Sequence, residues 1–398
     1  MVHVLATGAV ALVFWALVQK TYYQYLNYTF VVATAILHGH LGLSYSEPWL
    51  NELIPAAHGM YYSVFPLGAV LAVLPFSLLK DWGIVRTYPV DAAVVLAAAG
   101  GFWFAYGLTA LRRDFSTPKR LMLALWLVLG TWYFTNLLFA GAWQVALGLA
   151  VMGELGALYF SLVDRRPFWA GVFFALAYGN RTEILLTAPL FLAFLVQPEW
   201  TRLPDFRQLA KRWWPAIWRF AVIPVILGIL TLAYNWLRFH SAADFGYARI
   251  PGILKEPWYR HGIFSIYAIP GNFQGMILQG WWLRRSWPYL IPDGFGGSIF
   301  LASPFLFLLF RRPRGRRGYY LSAWIAIVLL TVALWLHGDT GGWQFSYRYA
   351  MELLPWLLLV FIEWLPAKVR PLEAVLWVLS VGISLYATYL FMWTTLVR

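Results

Sequence analysis

Apolar runs of membrane-spanning length recur along the chain, joined by short links rich in Arg and Lys. A helix needs about 20 apolar residues to cross the hydrocarbon core, and in lipid the backbone must stay helical or close into a barrel. The pattern predicts helical spans at 4–18, 90–111, 120–136, 142–163, 167–179, 183–197, 214–237, 295–311, 318–337, 347–364 and 371–394. The expected fold is an all-α polytopic membrane protein, a bundle of roughly 11–12 transmembrane helices, with residues 1–398 forming one transmembrane domain. Spans 167–179 and 183–197 are each short of a full crossing and are interrupted at Gly179-Asn180-Arg181-Thr182-Glu183. A break of that kind is tolerated only beside protein or a wet cavity.

Links 112–120, 164–166, 198–219, 311–317 and 365–370 hold most of the cations and fall on one side if every span crosses once. The positive-inside rule makes that side cytoplasmic. Two long segments rich in aromatics, Pro and Gly, 19–64 and 238–294, then lie outside, with amphipathic helices expected near 24–40 and 262–283. The run 4–18 has neither a positive n-region before it nor a small-residue cleavage site after it, so it reads as a retained anchor. With Met1 inside, one reversal is missing before residue 90. Either 64–80 is re-entrant or interfacial, or 27–41 spans, or the N-terminus lies outside.

Composition narrows the class. Of 398 residues, 61% are hydrophobic and 12% charged, against roughly 25% charged in soluble domains. The net charge of +13 sits mostly in links, which argues against a nucleic-acid partner and for membrane lipid. Cysteine is absent, which excludes disulfides and thiolate metal sites. His38, His40, His58 and His337 show no metal-ligand spacing, and no cofactor motif is present. The 24 Trp and 23 Tyr suit interfacial belts, and a few are available to pack on sugar faces.

Four constellations carry the remaining polar chemistry. The first is Glu47-Pro48-Trp49-Leu50-Asn51-Glu52, followed by Gly59-Met60-Tyr61-Tyr62-Ser63-Val64-Phe65-Pro66-Leu67-Gly68. A carboxylate there can deprotonate a hydroxyl if burial raises its pKa; solvated loop acids explain the residues equally well. The second is Asn180-Arg181-Thr182-Glu183, an intramembrane charge pair, which a structural ion pair would also explain. The third is Tyr234-Asn235-Trp236-Leu237-Arg238-Phe239, where Arg238 either serves a site or snorkels to headgroups. The fourth runs from His337 through Asp339, Gln344 and Tyr347 to Arg348 and Tyr349, a Gly-rich loop feeding a helix. Helix N-termini attract anions and guanidinium grips phosphate; interfacial anchoring is the competing role. Glu154, inside an apolar span, is most simply an interhelical hydrogen-bond partner.

In this order the four constellations resemble the GT-C superfamily of membrane glycosyltransferases, in particular the branch that uses lipid-phosphosugars, with protein O-mannosyltransferases and aminoarabinose transferases. Gly59 through Pro75 is similar to its G-x-Y-Y-S-x-F-P-x-G pattern, Arg181-Thr182 to its mid-chain R-P/T break, Tyr234 to Phe239 to Y-N-x-x-R-F, and Gly342 to Tyr349 to G-x-x-x-G-x-R-Y, with Ser346 where a second Gly is common. The resemblance covers most of 1–364. It implies a cytoplasmic (inner) membrane enzyme with its site facing outside and an acid in the first outer segment, Glu52 first and Glu47 second. Many relatives have Asp there. A second acid common in the next outer loop is missing from 137–141, so metal independence is expected.

The implied donor is a sugar on polyprenyl phosphate, and the acceptor is unspecified: a glycan, lipid or protein. Glu52 would act as general base in an inverting displacement, with Arg348, Arg181 and Arg238 on the leaving phosphate. Asn51, Tyr61, Tyr62, Asn180, Glu183, Asn235, Asp339, Gln344, Tyr347 and Tyr349 are the expected substrate contacts. The rival readings are a lipid or glycan transporter or flippase, and a lipid-linked glycan polymerase or ligase.

Overall fold

The computed structural model describes residues 1–18, 27–47, 50, 52–196, 206–311 and 318–397. Asn51 and parts of the 198–219 and 311–317 links lie outside the described residues. The helices are α1 Val2–Leu17, α2 Tyr28–Leu37, α3 Leu67–Asp81, α4 Val90–Leu108, α5 Thr117–Leu129, α6 Trp132–Leu138, α7 Ala142–Leu162, α8 Pro167–Asn180, α9 Ala188–Val196, α10 Phe206–Phe239, α11 Ile269–Phe273, α12 Ile299–Ala302, α13 Gly318–Leu336, α14 Leu354–Trp364 and α15 Pro371–Trp393. Two small antiparallel hairpins accompany them, β1 Leu53–Pro55 with β2 Tyr61–Ser63 and β3 Trp282–Leu283 with β4 Leu290–Ile291. The chain is an all-α polytopic membrane protein.

Five helices among the described residues are long and apolar enough to cross a membrane: Val90–Leu111, Ala142–Leu162, Trp213–Phe239, Tyr319–Leu336 and Pro371–Trp393. Thr117–Leu129 and Trp132–Leu138 make a sixth if they are one span bent by 47°. The sequence pattern counted more because it scores apolar length and is blind to breaks. Segment 295–311 divides at Ser303 into α12 and a 3-10 stretch, Pro304–Phe310. Segment 347–364 opens with a 3-10 stretch, Arg348–Leu353, and 183–197 with another, Thr182–Thr187. Near 262–283, instead of one amphipathic helix, lie short 3-10, α and π turns.

The two segments at issue for the missing reversal are α2 and α3. Their 10 and 15 residues cover about 15 and 22 Å at 1.5 Å per residue, less than the roughly 30 Å core. They pack on each other: Tyr28 lies against Phe65, the Ser77 hydroxyl donates to the Phe30 carbonyl, and Tyr88 returns to stack on Phe30 at 4.6 Å.

The centre of the bundle is α7, whose residues are almost all buried. Small residues let its neighbours approach, as expected where packing rather than hydrophobicity drives helix association. A Cβ on Gly153 would sit 2.7 Å from the Ala177 backbone of α8. At the crossing of α3 and α8, a Cβ on Gly68 would lie 2.3 Å from Cα of Gly179. That contact brings the end of α8, with Asn180 and Arg181, beside the β2–α3 connection.

At the opposite end of α7 the cationic links meet. Arg112 donates to the carbonyls of Ile362 and Glu363 and pairs with Asp114. Lys119, expected among the solvated link cations, is instead fully buried in α5 and holds Glu373 of α15 at 2.6 Å. Its ammonium ties two helices together where a link cation would face water.

Candidate functional site

Glu52 stands one residue before β1, in a hairpin registered by Leu53 opposite Ser63 and Ile54 opposite Tyr62. Val64, Pro66 and the first turn of α3 follow directly, so the hairpin delivers the carboxylate to the end of the bundle away from the cationic links. There a cavity of about 970 Å³ is lined by Glu52, Trp143, Asn180, Arg181, Glu183, Asp339, Arg348 and Tyr349. Its remaining wall includes Leu185, Leu186, Phe264 and Leu334, of which Leu185, Leu186 and Phe264 are exposed.

Trp143, at the start of α7, was not singled out by the sequence, where it passed as one interfacial Trp among many. Its indole N–H donates to Glu52 Oε2 over 2.7 Å, and its ring stacks on Phe65 at 4.0 Å. Burial pushes the Glu52 carboxyl above the usual range; the Trp143 hydrogen bond and the Arg348 charge pull it back, while Asp339 pushes it further up. The carboxylate is thus fixed in place and made more basic than an exposed one.

Arg348 opens the 3-10 turn before α14. Its backbone N–H is capped by Gln344 Oε1 at 2.8 Å, and the Gln344 amide donates to the carbonyls of Thr340 and Phe295. Arg348 is 7% exposed. Its guanidinium reaches the Tyr349 hydroxyl at 3.3 Å and lies over that ring at 5.0 Å, while its Nε has no hydrogen-bond partner among the described residues. Among the described residues no carboxylate pairs with it within 4.0 Å. Glu52 and Asp339 act on it from beyond ion-pair distance, and an anion in the cavity would give the buried guanidinium a direct partner. Gly341, at φ +100°, lets the loop backbone pass close over this group: a Cβ there would meet Arg348 Nε at 3.2 Å.

Arg181 also lines the cavity but is already committed. It pairs with Glu352 at 2.7 Å and with Glu183, and it lies over the Tyr349 ring at 4.8 Å. Asn180 donates to the Leu176 carbonyl at 2.8 Å, leaving its buried Oδ1 without a partner among the described residues. Asp339 accepts from Gly341 N–H at 3.0 Å and faces His337 Nδ1 at 3.3 Å. Burial works to raise its carboxyl, but His337, Arg348 and that N–H together hold it below the usual range.

Several expected site residues lie elsewhere. Arg238 is not in the cavity lining. Its guanidinium donates to the Ser63 carbonyl and to Asn235 Oδ1 and packs on the Tyr234 ring at 3.6 Å. These bonds lock the end of α10 to β2. Asn235 is buried with it and donates to the Ala242 carbonyl. Tyr61 and Tyr62 form the β2 strand outside the lining, Tyr62 against Phe239. Tyr347 is buried with its hydroxyl on Asn272 Oδ1 at 2.8 Å. Glu47 is half-buried and also outside the lining. Among the described residues no three His, Asp or Glu side chains gather closely enough to hold a metal ion. No family model, curated protein or solved structure matches the chain.

Proposed function

We propose that the chain is a membrane glycosyltransferase, moving a sugar from a polyprenyl-phosphate donor to an acceptor hydroxyl at the non-cytoplasmic face of a cytoplasmic membrane. The supporting observation is that Glu52 and Arg348, almost 300 positions apart in the chain, line one cavity with opposite charge and separate supports. Glu52 takes the acceptor proton, and the acceptor oxygen bonds to the anomeric carbon. The bond from that carbon to the phosphate oxygen breaks, its electron pair passes to the phosphate, and Arg348 stabilises the charge. The products are the glycoside, inverted at the anomeric centre, and polyprenyl phosphate; Glu52 then returns the proton to water. Stabilising the departing phosphate by preorganised donors is worth several kcal/mol, in the range of about 3–4 for one oxyanion donor. The apolar wall around Leu185, Leu186 and Phe264 offers the prenyl chain a path to lipid.

The transporter reading receives less support. Lining residues such as Trp143, Asn180 and Leu334 sit at the ends of α7, α8 and α13 that lie away from the cationic links in the chain, and the residues of α7 are almost all buried. The test is Glu52→Gln in the purified protein, with transfer from a polyprenyl-phosphate sugar and binding of polyprenyl phosphate measured in parallel. Transfer should be lost and binding kept; wild-type turnover would remove Glu52 from the chemistry.

A further inference from the structure

Two surface depressions flank the β3–β4 hairpin, away from Glu52. One, of about 570 Å³, is lined by Trp282, Arg284, Asp293, Phe295 and Thr395; the other, of about 630 Å³, shares Trp282 and Asp293 with it. Trp282 is 65% exposed and nevertheless oriented, its indole N–H donating to Asp293 Oδ2 at 3.2 Å. The other oxygen of Asp293 accepts from Phe295 N–H at 2.8 Å. Phe295 in turn meets Trp343 edge to face at 6.0 Å, and Trp343 lines the main cavity. The Phe295 carbonyl is held by Thr340 and Gln344, the loop that caps Arg348. Phe295 thus joins the cavity wall at Trp343 to the depression that holds Trp282, Asp293 and Arg284.

We infer that Trp282, Asp293, Arg284 and Phe295 form a remote subsite for a saccharide chain, so that the acceptor is a glycan of more than one sugar. The inference rests on the transferase reading of the cavity. An aromatic face matches the C–H face of a pyranose, and the flanking Asp and Arg match its ring of hydroxyls. An interfacial belt needs aromatic rings at the headgroup level, but it requires neither two hollows around one indole nor a carboxylate, which anionic headgroups repel. Phe295 supplies the connection, because it lines the depression with Trp282 and meets Trp343 of the main cavity.

The experiment uses the full-length protein in lipid nanodiscs on an array of short defined oligosaccharides and their monosaccharides. Wild type should bind at least one oligosaccharide more tightly than its monosaccharide. Trp282→Ala should lose about tenfold in that affinity, and Trp282→Phe should retain most of it. Glu52→Gln should bind as wild type does, since the subsite and the base are separate. Equal binding by wild type and Trp282→Ala, or no oligosaccharide bound by either, overturns the subsite. So does a Trp282→Ala effect confined to association with anionic vesicles, which would assign the ring to the membrane interface. Oligosaccharide capture through Trp282 in a protein that transfers no sugar would support the subsite and overturn the transferase reading.

Discussion

The Trp143 indole holds Glu52 by one oxygen at 2.7 Å, across 91 positions of sequence, and leaves the other carboxylate oxygen to the cavity. Removing that donor while keeping the ring, as in Trp143→Phe, takes away a bond made to the ionised form. The Glu52 carboxyl then becomes harder to ionise, so the acid limb of kcat/KM should move to higher pH. A limb that stays in place would mean that Glu52 is not the group titrating.

The wild-type profile follows from the same group. A base must be ionised, and burial raises the Glu52 carboxyl above its ordinary 4.5. Activity should therefore fall as pH drops through that raised value, earlier than for an exposed carboxylate. Asp339→Asn removes a negative neighbour that pushes Glu52 up, and should shift the limb toward lower pH. Rates across pH with a saturating donor check the direction of both shifts.

Arg348→Ala should weaken polyprenyl phosphate binding by about 10- to 100-fold, the worth of a charged hydrogen bond of roughly 1.5–3 kcal/mol. Thermal stability should hold or improve, because the guanidinium makes no ion pair with a carboxylate within 4.0 Å among the described residues. Titration of the lipid phosphate and a melting curve in the same detergent separate the two effects.

Arg181→Ala should behave in the opposite way. It leaves Glu183 and Glu352 facing each other without their shared cation, and breaking a buried pair costs about 3–5 kcal/mol. A large drop in melting temperature is expected. An Arg181→Ala protein as stable as wild type but defective in donor binding would return Arg181 to the phosphate.

Arg238→Ala should lower stability while the donor affinity of the folded fraction stays unchanged, since its bonds go to Ser63 and Asn235. Donor titration of the folded fraction after size exclusion tests this.

The sequence was most informative where charge interrupts apolar runs. Arg348, Arg181, Asn180, Glu183, Asp339, Tyr349 and Glu52 all reach the cavity lining, and each belongs to one of the four polar constellations read from the sequence. What the pattern could not separate was an arginine facing a ligand from one facing a carbonyl. Arg238 and Arg348 both follow a motif and both are buried, and only their partners distinguish them. Trp143 was hidden by the abundance of its own kind, and Lys119 by its position beside a link. The long spans were legible from length and hydropathy, and the break at 179–183 from its charges; a break such as Ser303, which leaves hydropathy nearly unchanged, was not. Ser346 adopts φ 59° and donates to the Gly297 carbonyl at 3.0 Å, which gives a backbone reason for glycine at that motif position: only glycine enters the left-handed region without steric cost.

The α3–α8 crossing, where Gly68 and Gly179 touch backbone to backbone, has a mechanical consequence. The spacing between the hairpin that carries Glu52 and the helix end that carries Asn180 is gauged by the thickness of the peptide chain itself, with no side chain to yield. A single methyl inserted there would act as a shim, prying the two walls apart at their pivot, and the misfit would be read at a distance, as a widened gap between Glu52 and Asn180.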